Sequence, residues 1–478
     1  MSSSVSSDGA AEPDASESYS VLQCILHAFK GEHHDYTTAP LQRGVILLAV
    51  PMVMEMLMES LFAVADVFWV SHLGKEAVAV IGLTESVMTL IYALAMGLAI
   101  AAAAVVARRI GEGRPDQASV AAGQTILLGV AVAALTGVAL GLLSRSILEG
   151  MGADAATVRQ GVNFTRIMLG GNVTVFLIFL INAIFRGAGD PVFSMRTLWL
   201  ANGLNILLGP CFIFGLGPFP RLGIVGAAVA TNFGRGMGVI YQLWHLAGGR
   251  GRITVKIRNL RPDFPAMAAV IRPAWSGVAQ FLISTTSWIG LFKILALFGS
   301  TALAGYTIAI RVVIAAILPA WGLANAAATL VGQNLGAKQP ERAEQAVRIA
   351  VRSNLVFLGS IGLIFLCCAP WIVRAFTSDP PVYANGVLAM RIVSLGFPLY
   401  AAGMCYQGAF NGAGDTWTPT RINFYFQWLG QVPLAWAFSR AIGLGPYGVY
   451  LAVPLSFGGL ALSSSVLFNR GDWKKKML

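Results

Sequence analysis

Charge is what this sequence is short of. Only 12% of its 478 residues are Asp, Glu, Lys or Arg, while 56% are apolar; a soluble domain carries about a quarter charged residues. So small a supply cannot coat a globule of this length, which excludes a soluble protein and points to a chain whose outer surface meets lipid. Cysteine is scarce as well. Cys24, Cys211, Cys367, Cys368 and Cys405 stand singly or as one adjacent pair inside apolar runs, with no CxxC spacing, so neither a disulfide nor a zinc site is expected. There is no HExxH, no GxSxG and no lysine-serine ending of a phosphate-binding loop, which removes zinc-protease, serine-hydrolase and ATP-hydrolysis chemistry. The five histidines, His27, His33, His34, His72 and His245, fall at segment ends or in loops. The chain reads as a non-enzyme without a cofactor.

The net charge of +11 would suggest nucleic acid in a soluble protein, but the basic residues sit between apolar stretches and no aromatic-interleaved basic groove or finger spacing accompanies them. They cluster at Arg108, Arg109 and Arg114, at Arg250, Arg252, Lys256, Arg258, Arg261 and Arg272, at Lys338, Arg342, Arg348 and Arg352, and at Lys474, Lys475 and Lys476. Such clusters mark the cytoplasmic side by the positive-inside rule. With both termini inside, about 22 basic residues fall there and about 7 outside. The location expected is a bacterial inner membrane.

Residues 1–20 are Ser, Ala and acid with almost nothing to bury, and are expected to be disordered; they have no basic start followed by an apolar run, so no cleavable signal is read. Residues 21–42 predict an interfacial helix and a loop. From Gly44 a series of apolar stretches of roughly 20 to 28 residues follows, each long enough to cross hydrocarbon as a helix. They are 44–70, 78–107, 118–143, 161–185, 190–216, 222–247, 267–298, 302–332, 344–368, 384–410, 416–440 and 446–469. The organisation expected is a tail and interfacial segment at 1–42, a first bundle at 43–247, a linker at 248–266, a second bundle at 267–470 and a basic tail at 471–478.

An internal repeat orders these spans. VVARRIGEGRPDQA (105–118) matches LVGQNLGAKQPERA (330–343), FRGAGD (185–190) matches FNGAGD (410–415), and LGKEAVAV (73–80) matches FGSTALAG (298–305), always at a shift of 225. Each half then holds about six spans, an even number, so the halves run the same way through the membrane about an axis along its normal. Gly187, Gly189, Gly412 and Gly414 are read as turn glycines, and Asp190 and Asp415 as N-caps of the helices that follow.

A carboxylate in hydrocarbon costs about 2.5 kcal/mol or more, so those that stay there are functional candidates. The first span holds Glu55, Glu59 and Asp66, which fall within about 40° of one another on a helix and form one stripe; the second adds Glu85. Three carboxylates on one face in a poor dielectric cannot all ionise unless protons are shared or a cation binds. The alternative is that Glu55 and Glu59 pair with buried Arg or Asn partners and fix helix packing. No Asp or Glu occurs between Asp263 and Glu341, and the repeat sets Gln280 opposite Glu55 and Leu291 opposite Asp66, so ion chemistry is expected in the first half. Basic residues at membrane depth are Arg235, Lys293, Arg311 and Arg391, each able to snorkel. Pro51, one turn before Glu55, is expected to bend the first helix.

The first-span Pro51 with Asp66 beyond it, then HLGKEAVAVIGL, NILLGPCFIFG, GIVGAAVAT, VGQNLGAKQPERA and FNGAGDTWTP, resemble the multidrug and toxic compound extrusion (MATE) transporters over nearly all of residues 40–470. The resemblance implies an all-α polytopic membrane protein of about twelve transmembrane helices in two like-oriented six-helix bundles. It also implies a monomeric antiporter that exports small organic, cationic or amphiphilic compounds against H+ or Na+ by alternating access. Asp66 is similar to the family's coupling aspartate, where Na+ or a proton would sit, and Pro51 to its kink proline. Asn205 and Thr231 look like members of the same polar network. The sequence departs from the family at Gly209, where the pattern has an aspartate, and Glu55 or Glu59 is the expected replacement for its charge. A lipid-linked precursor flippase of the same superfamily is the alternative; its usual cavity is strongly basic, and this one is acid-lined.

Overall fold

A computed structural model describes residues 21–31, 34–249 and 251–476. The expected disorder of residues 1–20 and the roles read for His33 and Arg250 lie outside the described residues. After a two-turn helix, α1 (Val21–Ala28), the first half contains α2 (Leu41–Ser71), α3 (Lys75–Gly111), α4 (Pro115–Leu142), the short α5 (Ser144–Gly150), α6 (Ala155–Gly170), α7 (Val173–Ala188), α8 (Pro191–Phe214) and α9 (Ile224–Ala247). The second half contains α10 (Phe264–Ala296), α11 (Ser300–Gly336), α12 (Pro340–Arg374), α13 (Pro380–Ser394), α14 (Phe397–Gly412), α15 (Trp417–Asn423), α16 (Val432–Trp436) and α17 (Pro446–Arg470). Proline opens many of these helices, at Pro115, Pro191, Pro340, Pro380 and Pro446, where its missing N–H and fixed φ cost nothing. Helix starts repeat the shift of 225 found in the loops: Lys75 with Ser300, Pro115 with Pro340, Ala155 with Pro380.

Nine helices among the described residues are long and apolar enough to cross a membrane, α6 with α7 counting as one, and the pair α13 and α14, bent by 50°, makes a tenth. The other two are α9 and the rod 417–441, in which α15 and α16 alternate with π-helical turns at Phe424–Gln431 and Ala437–Ala441. Together they form the twelve-helix bundle that the apolar runs predict, with no strand among the described residues.

The hydrophobic cores exchange material across the boundary between the bundles. Val45, Leu47, Leu48 and Met52 of α2 pack with Ala326, Leu330, Ala346 and Phe410 of the second half. Val270 and Ala274 of α10 join the core of the first, with Val105, Phe176 and Ile181. Each half thus lends the start of its first long helix to the other. The crossing lies at the end of the molecule that carries the basic loops. There Gly277 brings α10 onto α3 so closely that a Cβ on it would stand 3.0 Å from the Gly97 Cα. In the same region Thr329 Oγ1 donates to the Arg186 carbonyl (3.1 Å) and Gln333 Nε2 to the Gly187 carbonyl (3.0 Å). Ser60 Oγ donating to the Ala315 carbonyl (3.2 Å) is the last hydrogen bond between the halves toward the opposite end among the described residues. The halves are sealed at the basic-loop end.

Two loop expectations are corrected. Gly189 and Gly414 have the positive φ of a turn (87° and 82°), but Gly187 and Gly412 are helical and small for another reason: a Cβ on Gly187 would lie 2.6 Å from the Ala103 carbonyl oxygen, and Gly412 abuts Ala328 in the same way. Asp190 stands at the N-cap position of α8 with no capping hydrogen bond from its side chain; Oδ2 instead accepts from Arg252 N (2.9 Å), tying the linker to the first bundle. Asp415 precedes the cap, Thr416, and takes Thr418 Oγ1 (2.7 Å) and Lys476 Nζ (3.4 Å). The basic tail is also more than a tail: Trp473 is fully buried, stacked on Phe468 with ring centroids 4.9 Å apart.

Candidate ion and substrate site

The acidic stripe of α2 is sorted by its neighbours into a sealed part and an open part. Glu55 is completely buried beside the seam, and its Oε1 accepts a 2.6 Å hydrogen bond from Arg186 Nη1 at the last turn of α7. Its Oε2 is buried with no partner. Glu59, one turn on, accepts from Asn202 Nδ2 of α8 at 2.9 Å. The reading of Glu55 and Glu59 as paired with Arg and Asn is therefore what the geometry displays, and Arg186 is the partner that the sequence concealed, because FRGAGD looks like a turn.

Asp66 lies eleven residues beyond Glu55, about 16 Å along the helix. It is half-buried and has no hydrogen-bond partner among the described residues. It interacts electrostatically with Arg235 of α9 and with Glu85 of α3, and Glu85 with Arg311 of α11 in the other half. Glu85 is exposed. Arg235 does not snorkel. It is buried, donates from Nη1 and Nη2 to the Tyr92 hydroxyl (3.3 Å each) and lies 5.8 Å from the Phe62 ring centroid, so aromatic faces and a phenol take the place of water around the guanidinium. Asn205 and Thr231 do come together, Asn205 Nδ2 donating to Thr231 Oγ1 at 2.8 Å. Beside them Gly209 leaves room: a Cβ there would sit 3.8 Å from Asn205 Oδ1 and 3.9 Å from the Trp69 ring, and Trp69 Nε1 is buried without a partner. Pro51 is buried inside α2, which runs unbroken through it. The turn that follows is pressed on α11, where a Cβ on Gly322 would fall 2.5 Å from Val53 N.

Glu55, Glu59 and Asp66 thus face two guanidiniums, Arg186 and Arg235, and adding Glu85 with Arg311 keeps one carboxylate in excess.

At the shift of 225 the second half carries the same column without charge. Gln280 stands for Glu55, Ser284 for Glu59, Asn411 for Arg186 and Gln427 for Asn202. Asn423 joins three helices by accepting from Gln407 Nε2 (2.6 Å) and donating to Ser284 Oγ (3.2 Å). Gln280 Oε1, Asn411 Oδ1 and Gln427 Oε1 are buried without partners. Among the described residues no three His, Cys, Asp or Glu side chains group as a metal site.

Two like-oriented helical bundles, sealed against each other at one end and lined by intramembrane charges in one half, define a polytopic membrane transporter. The particular family follows from comparison: the sequence pattern of the MatE family matches residues 51–211 and again 276–437, starts 225 residues apart, and the chain belongs to that family. It is 26% identical to the "Probable multidrug resistance protein NorM" of Thermotoga maritima over 91% of this chain and 94% of that one. It is also 26% identical to the "FAD transporter" of Shewanella oneidensis over 89% of this chain and 94% of that one. Among solved structures it superposes with a TM-score of 0.87 and 25% identity on the "outward-facing conformation of a multidrug resistance MATE family transporter of the MOP superfamily", covering 92% of this chain and 98% of that one.

Proposed function

We propose that the protein is a multi-pass secondary antiporter of the bacterial inner membrane, with both termini cytoplasmic, that expels small organic compounds in exchange for H+ or Na+ by alternating access. The observation that supports this reading is the excess of one carboxylate over guanidiniums in the first half, with Asp66 as the member that accepts no hydrogen bond among the described residues and stands toward the end opposite the seal. In this reading a proton or Na+ at Asp66 is coupled, through Glu85 and Arg235, to the opening of the cleft. Asn205 and Thr231 complete the polar wall, and the Glu55 and Glu59 pairs hold α2 to α7 and α8. Seal and cation lie on the same helix, α2, so occupancy at one end of it can bias packing at the other. The amide column of the second half supplies neutral hydrogen-bonding groups for a substrate of varied shape. Monomeric action is part of the same proposal, since each half finds its partner within the chain.

Reconstituted protein at fixed membrane potential, supplied with a fluorescent organic cation while proton and sodium fluxes are followed, is the direct test. Wild type is expected to move substrate against one of the two cations, and Asp66→Asn to abolish the dependence. Substrate movement indifferent to both gradients and to Asp66 would leave a facilitator or flippase.

A further inference from the structure

The linker between the bundles has no part in the ion chemistry, yet it is firmly built. Gln124, buried on α4, donates from Nε2 to the carbonyls of Asn259 and Arg261 (2.8 Å each), and its Oε1 accepts from Asp263 N (3.0 Å). Val255 N adds a bond to the Leu246 carbonyl (3.0 Å). One amide thus pins the single turn Ile257–Leu260 against α4. Gln124 stands nine residues past Pro115, about 13 Å into that helix, so the linker lies beside the first turns of α4 and α10, at the depth of lipid headgroups.

What it displays there is two-sided. Ile257 is 88% and Phe264 77% exposed, while Arg258 and Arg261 are exposed with no partner among the described residues. Beside them opens a cavity of about 460 Å³, walled by Gln124, Arg258, Arg261, Asp263, Phe264 and Pro265. Asp263 Oδ1 also caps α10, accepting from Ala266 N (3.1 Å), so the opening holds two guanidiniums against one carboxylate and its net charge is positive. A guanidinium offers a phosphate two parallel N–H donors. Two large apolar side chains held out beside it gain nothing from a soluble anion but are stabilised on entering the acyl boundary.

We propose that residues 251–264 form a binding site for an anionic phospholipid, its phosphate between Arg258 and Arg261 and its acyl chains beside Ile257 and Phe264. The lipid would fasten the one covalent connection between the bundles to the membrane surface while the bundles rock.

The full chain, purified in detergent and titrated with dioleoyl phosphatidylglycerol, dioleoyl phosphatidylcholine or inorganic phosphate under native mass spectrometry, tests this independently of transport. Wild type should prefer phosphatidylglycerol by about thirtyfold, from two basic contacts at an anionic surface. Arg258→Gln with Arg261→Gln should reduce that preference to near unity at an unchanged melting temperature. Ile257→Ser with Phe264→Ser should weaken both lipids while keeping the preference. Undiminished preference in the arginine variant overturns the site, as does phosphate that competes equally with the lipid and is untouched by the apolar variant. If the arginine variant melts early, Arg258→Lys with Arg261→Lys must retain the charge preference, or the proposal fails.

Discussion

At the scale of single residues, the contrast between Glu55 and Asp66 decides what each can do. A carboxylate at 2.6 Å from a guanidinium, both out of water, loses far more when one partner is removed than the pair contributes as a whole, because the survivor is a buried unpaired charge. Glu55→Gln or Arg186→Gln alone should therefore destabilise the first bundle by about 3–5 kcal/mol, read as a fall in melting temperature in detergent. The double variant should recover most of that loss, and a double variant no better than the singles would refute the pairing. This separates Glu55 from a coupling role: if it replaces the aspartate absent at Gly209, the double variant regains stability but not ion-driven transport. Asp66→Asn, by contrast, breaks no hydrogen bond among the described residues and removes only an electrostatic contact with Arg235, so it should destabilise the bundle less than either single variant of the Glu55–Arg186 pair. The acids were legible in the sequence because rarity in an apolar run marks them. Arg186 and the neutral column were not, since one sat in a turn motif and the amides carry no charge to attract notice.

Among elements, the spans and their repeat were legible to within about six residues at each end, because the apolar period and opening prolines are local signals that tertiary packing did not override. The ends were less so. Trp473, in a stretch whose lysines suggest a solvated tail, is fully buried, with Nε1 donating to the Phe468 carbonyl at 2.9 Å and Lys474 reaching Glu344 at 2.6 Å. Nothing in a three-lysine run announces that its neighbour is an anchor. Trp473→Ala should cost about 3–5 kcal/mol and lower the melting temperature of the whole chain; an unchanged melt would mean that the tail is not docked. At the other end of the scale, Asp154 caps α6 through Oδ1, which accepts from Thr157 N at 2.7 Å, and that bond holds its carboxyl below the usual value. A depressed folded value means that the stabilisation is complete above the unfolded pKa of about 3.9 and fades as pH falls through the lower folded one. Asp154→Asn, which can still cap, should show the same hydrogen exchange as wild type in the first turn of α6 at pH 7. It should lack the increase that wild type shows below about pH 4. An increase of equal size in both would assign the acid response to another group.

For the whole molecule, the repeat predicts two like bundles but not that they trade core. An apolar residue at a core period is satisfied by any apolar surface, so periodicity cannot say that Leu48 and Met52 bury against the other half while Met56, one turn on, buries in its own. The exchange matters for the proposed alternating access, in which opening the basic-loop end slides the starts of α2 and α10 out of each other's bundles, and small residues permit the approach that closes it. Gly97 is one such point: a Cβ there would meet Val278 N at 2.6 Å and the Ala274 carbonyl oxygen at 2.7 Å, both backbone atoms that cannot swing aside. Gly97→Val should therefore strain the sealed arrangement and spare one in which α3 and α10 part. An overpacking cost of about 1–3 kcal/mol borne by one state alone shifts the balance between them by about 5-fold to 150-fold. The variant should fold as a helical monodisperse protein, lose most of its transport, and show faster amide exchange where α3 and α11 end against each other at Gly111 and Gln333. Wild-type exchange together with wild-type transport would mean that this seam is not a gate. Faster exchange with transport intact would separate the seal from the step that limits turnover.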